Sequence, residues 1–147
     1  MNAPLYTTEI LRLAVTIPHQ GVLAGAQGVV EKRSAICGSW VLVMLDVDAA
    51  GRVARFAQDV RACALGQASA ALLGAHVMGA NGAALAAARD QLAAYLSGAR
   101  AAPPDWPGLE IFASAIPHSA RHAAIRLPFE ATTAALVQAQ AAQLHAA

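Results

Sequence analysis

The sequence has little of what nucleic-acid-binding or disulfide-rich proteins contain. Only 13% of its 147 residues are charged, and the formal net charge is +1. Because so small a charge provides no basic field, we expect no nucleic-acid partner. The two cysteines are too few for the disulfide framework of a small secreted domain, so we expect reduced thiols and a cytoplasmic location.

Long apolar segments are lacking as well. A run such as Trp40–Leu45 is far too short to cross a bilayer, so we expect no membrane partner. Residues Met1–Glu9 contain no basic stretch followed by an apolar core, and we expect no signal peptide. The length of 147 residues predicts a single domain over 1–147, and the many alanines indicate closely packed helices.

The middle of the chain predicts a β-meander. Three segments are rich in β-forming residues, and they are Val29–Ile36, Trp40–Val47 and Arg52–Val60. A glycine-containing interruption at 37–39 separates the first two, and residues 48–51 have the composition of a hairpin turn. Three consecutive strands with such tight links favour an antiparallel sheet.

Helical patterns flank this sheet. Thr7 or Thr8 is placed to cap a first short helix. After Ala62 the apolar residues recur with helical spacing as far as Gly79, and a further helix is predicted over Ala83–Leu96. The order of a helix, a meander and several helices predicts an α+β fold with the helices packed on one face of a three-stranded antiparallel sheet.

Several prolines interrupt the last third of the chain. Prolines exclude regular structure from residues 101–108, and a short helix is predicted over Leu109–Ala115. Ser119 is placed to cap a helix that Pro128 should kink or divide. A final helix is predicted over Thr132–Leu144, with fraying before the C-terminus.

Two cysteines are the first candidates for chemistry. Cys37 adjoins Gly38 in the strand interruption, where backbone freedom can expose a side chain. Cys63 lies where a strand gives way to a helix, and a helix start favours thiolate, with Arg61 adding to that bias. The alternative is that both cysteines are small buried hydrophobic residues, as free cysteines often are.

The histidines are a weaker signal. His118 and His122 are four residues apart and would share one face if both were helical, although a cap at Ser119 would leave only His122 inside the helix. Solvent-exposed histidine is the alternative. The motifs of phosphate-binding loops, zinc proteases and serine hydrolases are missing, so an ordinary enzyme is not predicted.

Two motifs carry a resemblance to the IscU/NifU-type family of iron–sulfur cluster scaffolds. The segment RSAICGSW (Arg33–Trp40) resembles the family's first cysteine motif, and ACALGQASA (Ala62–Ala70) resembles the second. The stretch Tyr6–Leu13 is similar to the family's N-terminal helix. The likeness extends from about Tyr6 to Leu136, and the order of elements in the family fold is the one predicted above.

The resemblance implies a ligand set with two departures from the family pattern. In the family a third cysteine and the aspartate of the first motif complete the site, whereas here His122 and Ser39 stand at the matching positions. The implied metal ligands are therefore Cys37, Cys63 and His122, with Ser39 and His118 as auxiliary candidates. Mixed cysteine and histidine ligation suits iron–sulfur clusters and zinc alike.

Three functions follow from the resemblance. The first is a scaffold on which a transient [2Fe–2S] cluster is assembled with sulfur from a cysteine desulfurase and then passed to recipient proteins. The second is a zinc-bound sulfur-transfer partner of the desulfurase, since the long spacing between Cys63 and His122 resembles the SufU-like branch. The third is an interaction domain that has lost its metal.

Overall fold

The computed structural model describes residues 4–36 and 38–146. The α-helices are α1 Thr8–Ala14, α2 Ala64–His76, α3 Gly82–Ser97 and α4 His122–Ala146. The strands are β1 Gly28–Arg33, β2 Trp40–Val47 and β3 Val53–Arg61. Two 3-10 segments, Leu109–Ala115 and Ser119–Arg121, precede α4. The α+β class predicted from the sequence is confirmed.

The three strands form an antiparallel sheet in the order β1-β2-β3. The bounds of β2 are those predicted, while β1 ends three residues earlier than expected, at Arg33. There the chain turns back, and the Ser34 N–H donates to the Ser39 carbonyl over 2.8 Å. In the β2–β3 hairpin, Asp48 Oδ1 accepts the N–H groups of residues 50 and 52 at 2.9 and 3.0 Å.

The helices cover one face of this sheet, as predicted. Alternate β2 residues Val41, Val43 and Leu45 are fully buried, and α4 packs across β1 and β2. Gly28 permits the close approach of α4, because a Cβ atom there would lie 2.1 Å from the Ala135 carbonyl oxygen. Helices α2 and α3 pack on α4, and α1 packs on α2. Of the helices described, none is long and apolar enough to cross a membrane.

Local capping explains where the helices begin. The Thr7 hydroxyl accepts the Ile10 N–H over 3.2 Å at the start of α1, and the Asn81 side chain accepts the Ala84 N–H over 2.8 Å at the start of α3. Gly98 ends α3 with a φ of 84°. The proline-rich loop is held to the core by Trp106, whose indole N–H donates to the Leu72 carbonyl over 2.9 Å.

Of the two outcomes expected at Pro128, a kink or a division of the helix, the division is wrong. Helix α4 is continuous from His122 to Ala146 and contains both Pro128 and the segment Thr132–Leu144. Proline removes one main-chain hydrogen bond, but α4 packs against β1, β2, α2 and α3, and this burial holds the helix together around the buried proline.

Ser119 begins a 3-10 turn rather than capping an α-helix. At its other end α4 reaches Ala146, two residues beyond the predicted end at Leu144.

Candidate metal centre

Cys37, the first predicted ligand, lies outside the described residues. Its neighbours belong to the β1–β2 connection over residues 34–39. Gly38 has a φ of 71°, a conformation that suits glycine. Ser39 is buried, with 2% of its surface exposed, and its carbonyl closes the connection onto the Ser34 N–H. The glycine-dependent turn expected next to Cys37 is therefore present.

Cys63, the second predicted ligand, is the N-cap residue of α2 and is half-buried. Its carbonyl accepts the Gln67 N–H over 2.9 Å, as the first bond of the helix. Its side chain makes no capping hydrogen bond. The predicted position at a helix start is confirmed, and the positive end of the α2 dipole favours an anionic ligand at this point.

One open cavity of about 490 Å³ joins these two segments, and we call it the cysteine cavity. Its lining residues come from the β1–β2 connection, the end of β3 and the start of α2, and they are Gly38, Ser39, Val60, Arg61, Ala62, Cys63 and Gln67. The tertiary structure thus brings Cys63 to the same cavity as the two residues that follow Cys37. His118 and His122 do not line it.

Arg61 contributes the positive charge of the cysteine cavity. Its guanidinium lies 5.1 Å from the centre of the Trp40 ring and 3.8 Å from the Asp59 carboxylate. Trp40 and Arg61 are cross-strand partners in the sheet, which explains this stacking. Arg61 and Cys63 line the same cavity, as expected from their positions two residues apart. The Arg61 side chain also contacts Trp40 and Asp59.

His122, the third predicted ligand, is the first residue of α4 and is half-buried. Its Nε2 atom lies 2.8 Å from the Ala115 carbonyl oxygen. Because a carbonyl only accepts, Nε2 carries the hydrogen, and Nδ1 keeps its lone pair in the neutral ring. Histidine ligands of metals are commonly oriented by such a bond from the other ring nitrogen. This bond therefore leaves Nδ1 as the ring nitrogen of His122 with an available lone pair.

His118, the auxiliary candidate, is exposed and precedes the 3-10 turn. Its carbonyl accepts the Arg121 N–H over 2.9 Å. Since residues 119–121 are not α-helical, His118 and His122 do not form a helical pair four residues apart, and only His122 lies inside the helix.

The starts of α2 and α4 lie side by side. Ser69 Oγ donates to the Ile125 carbonyl over 2.5 Å, and a Cβ atom at Gly66 would lie 3.1 Å from the Ala124 carbonyl oxygen. Cys63 and His122 therefore lie at the same end of this helix pair. Within residues 4–36 and 38–146, no three histidine, cysteine or acidic side chains are grouped closely enough to hold a metal.

Comparison with known proteins identifies the family. The NifU-like N terminal domain family matches residues 5–128, which include Cys37, Cys63 and His122. The chain belongs to this family, as the two cysteine motifs indicated. No curated protein matches the sequence.

Solved structures agree with this assignment. A nitrogen-fixing NifU-like protein (N-terminal) from Brucella abortus is 35% identical, with a TM-score of 0.87 over 93% of this chain and 95% of its own. A protein from the thermophile Fervidobacterium islandicum AW-1, described as a candidate iron–sulfur cluster assembly scaffold of the SUF system, is 18% identical. Its TM-score is 0.81 over 90% of this chain and 96% of its own, which shows a shared fold.

Proposed function

We propose that this protein is a scaffold on which iron–sulfur clusters are assembled before transfer to recipient proteins. The observation that carries the proposal is the cysteine cavity, where Cys63 meets the residues that follow Cys37. Family membership supports it, and so does the fold shared with the Fervidobacterium protein described as a candidate scaffold. A cytoplasmic setting, in which the thiols stay reduced, is part of this proposal.

Cys37 and Cys63 receive sulfur in this scheme. A cysteine thiolate attacks the outer sulfur of a persulfide carried by a cysteine desulfurase. A new S–S bond forms on the scaffold cysteine, the donor's S–S bond breaks, and the desulfurase thiolate leaves. Cys63 is positioned for this attack as the N-cap residue of α2 at the cysteine cavity. Iron(II) and an electron donor then complete a [2Fe–2S] cluster, which is the cargo of the protein.

His122 takes the place of a third sulfur ligand. Its Nε2–H bond to the Ala115 carbonyl leaves Nδ1 for iron. Ser39 is a poor ligand at neutral pH because its hydroxyl stays protonated. Three protein ligands leave one coordination position of the cluster without a protein donor, an arrangement that suits cargo held temporarily.

A second function is favoured by the same donor set. Two thiolates and one imidazole leave an open fourth position on zinc, as in zinc sites that react with substrates. The protein would then relay persulfide sulfur from the desulfurase without building a cluster. The ligands are shared by both functions, so the metal bound distinguishes them.

Anaerobic reconstitution tests the proposal. The purified chain is supplied with iron(II), cysteine, a cysteine desulfurase and a thiol reductant as electron donor, with zinc in a parallel sample, and metal content and visible absorption are recorded. A scaffold becomes coloured with about two irons per bound cluster, and it loses the colour in Cys63→Ser and His122→Ala. The matched control His145→Ala, at the exposed end of α4, keeps it. A colourless protein with one zinc supports relay, and binding of neither metal supports an interaction domain.

A further inference from the structure

The two edges of the sheet differ in how they are covered. On the outer edge of β3, Gly21 donates to the Gln58 carbonyl at 3.1 Å and Gln58 donates to the His19 carbonyl at 3.0 Å. Nearer its start, Val53 exchanges backbone bonds with residues 79–80 at 2.8 and 3.0 Å. The main chain therefore covers this edge at Val53 and at Gln58.

The outer edge of β1 is open by comparison. In an antiparallel pair, alternate residues direct their backbone groups away from the partner strand. Val29 is one of these, since its N–H donates to the Gln138 side chain on α4, and alternation places Glu31 and Arg33 in the same set. Within the described part of the chain, no hydrogen bond reaches the outward backbone groups of Glu31 or Arg33.

A groove runs beside this open edge. It contains a cavity of about 440 Å³ between β1 and the helices α3 and α4. Its lining residues are Lys32, Arg89, Glu130, Thr133, Ala134 and Val137. The α4 members recur at intervals of three and four residues, so they form one stripe along the helix. We call the outer edge of β1 and this cavity together the β1 edge groove.

The β1 edge groove has an apolar end and a charged end. Val137 is 62% exposed at the first. At the other end, Arg89 is paired with Asp90 at 2.9 Å, whereas Lys32 forms no ion pair among the described residues. Glu130 also lines this cavity and lies near Arg89, so Lys32 is the cation of this end that an acidic group from another molecule can pair with.

We propose that the β1 edge groove binds an extended segment of another protein, which adds a fourth strand to the sheet. Open strand edges are templates for such pairing, because each outward N–H and C=O group gains a partner. The segment carries an aliphatic side chain near Val137 and an acidic side chain near Lys32. Side chains on one face of a strand are about 7 Å apart, so roughly five residues span the groove.

A second copy of this chain fits the edge less well. A register that sets Glu31 opposite Arg33 pairs only these two outward residues of each strand. The antiparallel register that uses all three outward residues, Val29, Glu31 and Arg33, sets Glu31 opposite Glu31. Like charges directly opposite each other destabilise a strand pair. An acidic segment from a different protein meets Lys32 instead, without that repulsion.

A pair of synthetic peptides tests the proposal on the full chain. Both alternate valine with threonine over roughly seven residues, and one carries glutamate where its twin carries lysine. Fluorescence anisotropy measures affinity, and amide hydrogen exchange is followed by NMR. The glutamate peptide should bind and protect the amides of Glu31 and Arg33. The amides of Val30 and Lys32, already bonded to β2, should change little.

Two variants at one position isolate the strand pairing. Glu31→Ala and Glu31→Pro both lose the carboxylate contacts with Trp40 and Arg33. Only proline also removes the outward N–H, and it removes no bond to β2. Glu31→Pro should bind the glutamate peptide about tenfold more weakly than Glu31→Ala. Lys32→Glu should weaken that peptide about fivefold and improve binding of the lysine twin.

Three results would overturn the proposal. The first is that the glutamate peptide neither binds nor protects the Glu31 and Arg33 amides of the unmodified protein. The second is equal binding by Glu31→Pro and Glu31→Ala. The third is a dimer of this chain in light scattering that Glu31→Pro converts to a monomer, since the edge would then belong to a second copy.

Discussion

Replacement of Gly66 by alanine perturbs the contact that aligns the candidate ligands. The added Cβ would lie 2.8 Å from the Ala62 Cβ and 3.1 Å from the Ala124 carbonyl oxygen. Both distances are shorter than ordinary van der Waals contact, and neither neighbour is the end of a flexible side chain. The start of α2 must therefore move away from the start of α4, which carries His122.

The magnitude follows from two opposing effects. Alanine in a helix is favoured over glycine by up to about 1 kcal/mol, whereas overpacking a core contact costs about 1–3 kcal/mol. Gly66→Ala should therefore lower the free energy of unfolding by roughly 0–2 kcal/mol. Gly82→Ala is the matched control, since its nearest contact would be Leu136 at 3.6 Å. It gains helix propensity without overpacking.

Urea unfolding of the metal-free protein, followed by circular dichroism, measures this difference. We expect Gly66→Ala to be less stable than Gly82→Ala by about 1–3 kcal/mol, which is the overpacking term alone. Iron retention after reconstitution should fall in Gly66→Ala and stay unchanged in Gly82→Ala. Equal stabilities and equal iron retention in the two variants would refute the reasoning that close packing of α2 on α4 supports the site.

Three further perturbations have defined outcomes. Ser69→Ala removes the buried bond to the Ile125 carbonyl and should cost about 1 kcal/mol in urea unfolding; no change would contradict a role for this bond. Trp106→Phe removes the indole bond to the Leu72 carbonyl and should cost about 1–3 kcal/mol, with faster proteolysis of the proline-rich loop as a second readout. The Trp40 indole N–H and then the Arg33 guanidinium lower the pKa of Glu31. Its contribution to stability is present above its ordinary pKa and is lost as the pH falls through the lowered one, so the unfolding free energies of the wild type and Glu31→Gln should converge there. A difference that stays constant through this acid range would contradict the assignment.

Local signals account for the elements that could be predicted from the sequence. The bounds of β2 follow from turn residues at both ends of a β-rich run, and Asn81 and Gly98 mark the ends of α3 by their capping chemistry. Cys63 could be placed at a helix start because the apolar period changes there. In each case the information lies within a few neighbouring residues.

The features that were missed depend on tertiary packing. The continuity of α4 through Pro128 reflects contacts with two strands and two helices, which no local pattern contains. The bond between His122 and the Ala115 carbonyl forms because a 3-10 turn folds the chain back before α4. The sequence predicts His122 as a ligand through family resemblance, but not which ring nitrogen remains for a metal.

The most direct test is pulsed electron paramagnetic resonance of the reconstituted, reduced protein with nitrogen-15 in its histidine rings. A cluster bound by Cys37, Cys63 and Nδ1 of His122 should show one strongly coupled imidazole nitrogen. His122→Cys should keep the cluster and lose this coupling. The account would be contradicted by failure to form a cluster, by a cluster without nitrogen coupling, or by a coupling that persists in His122→Cys.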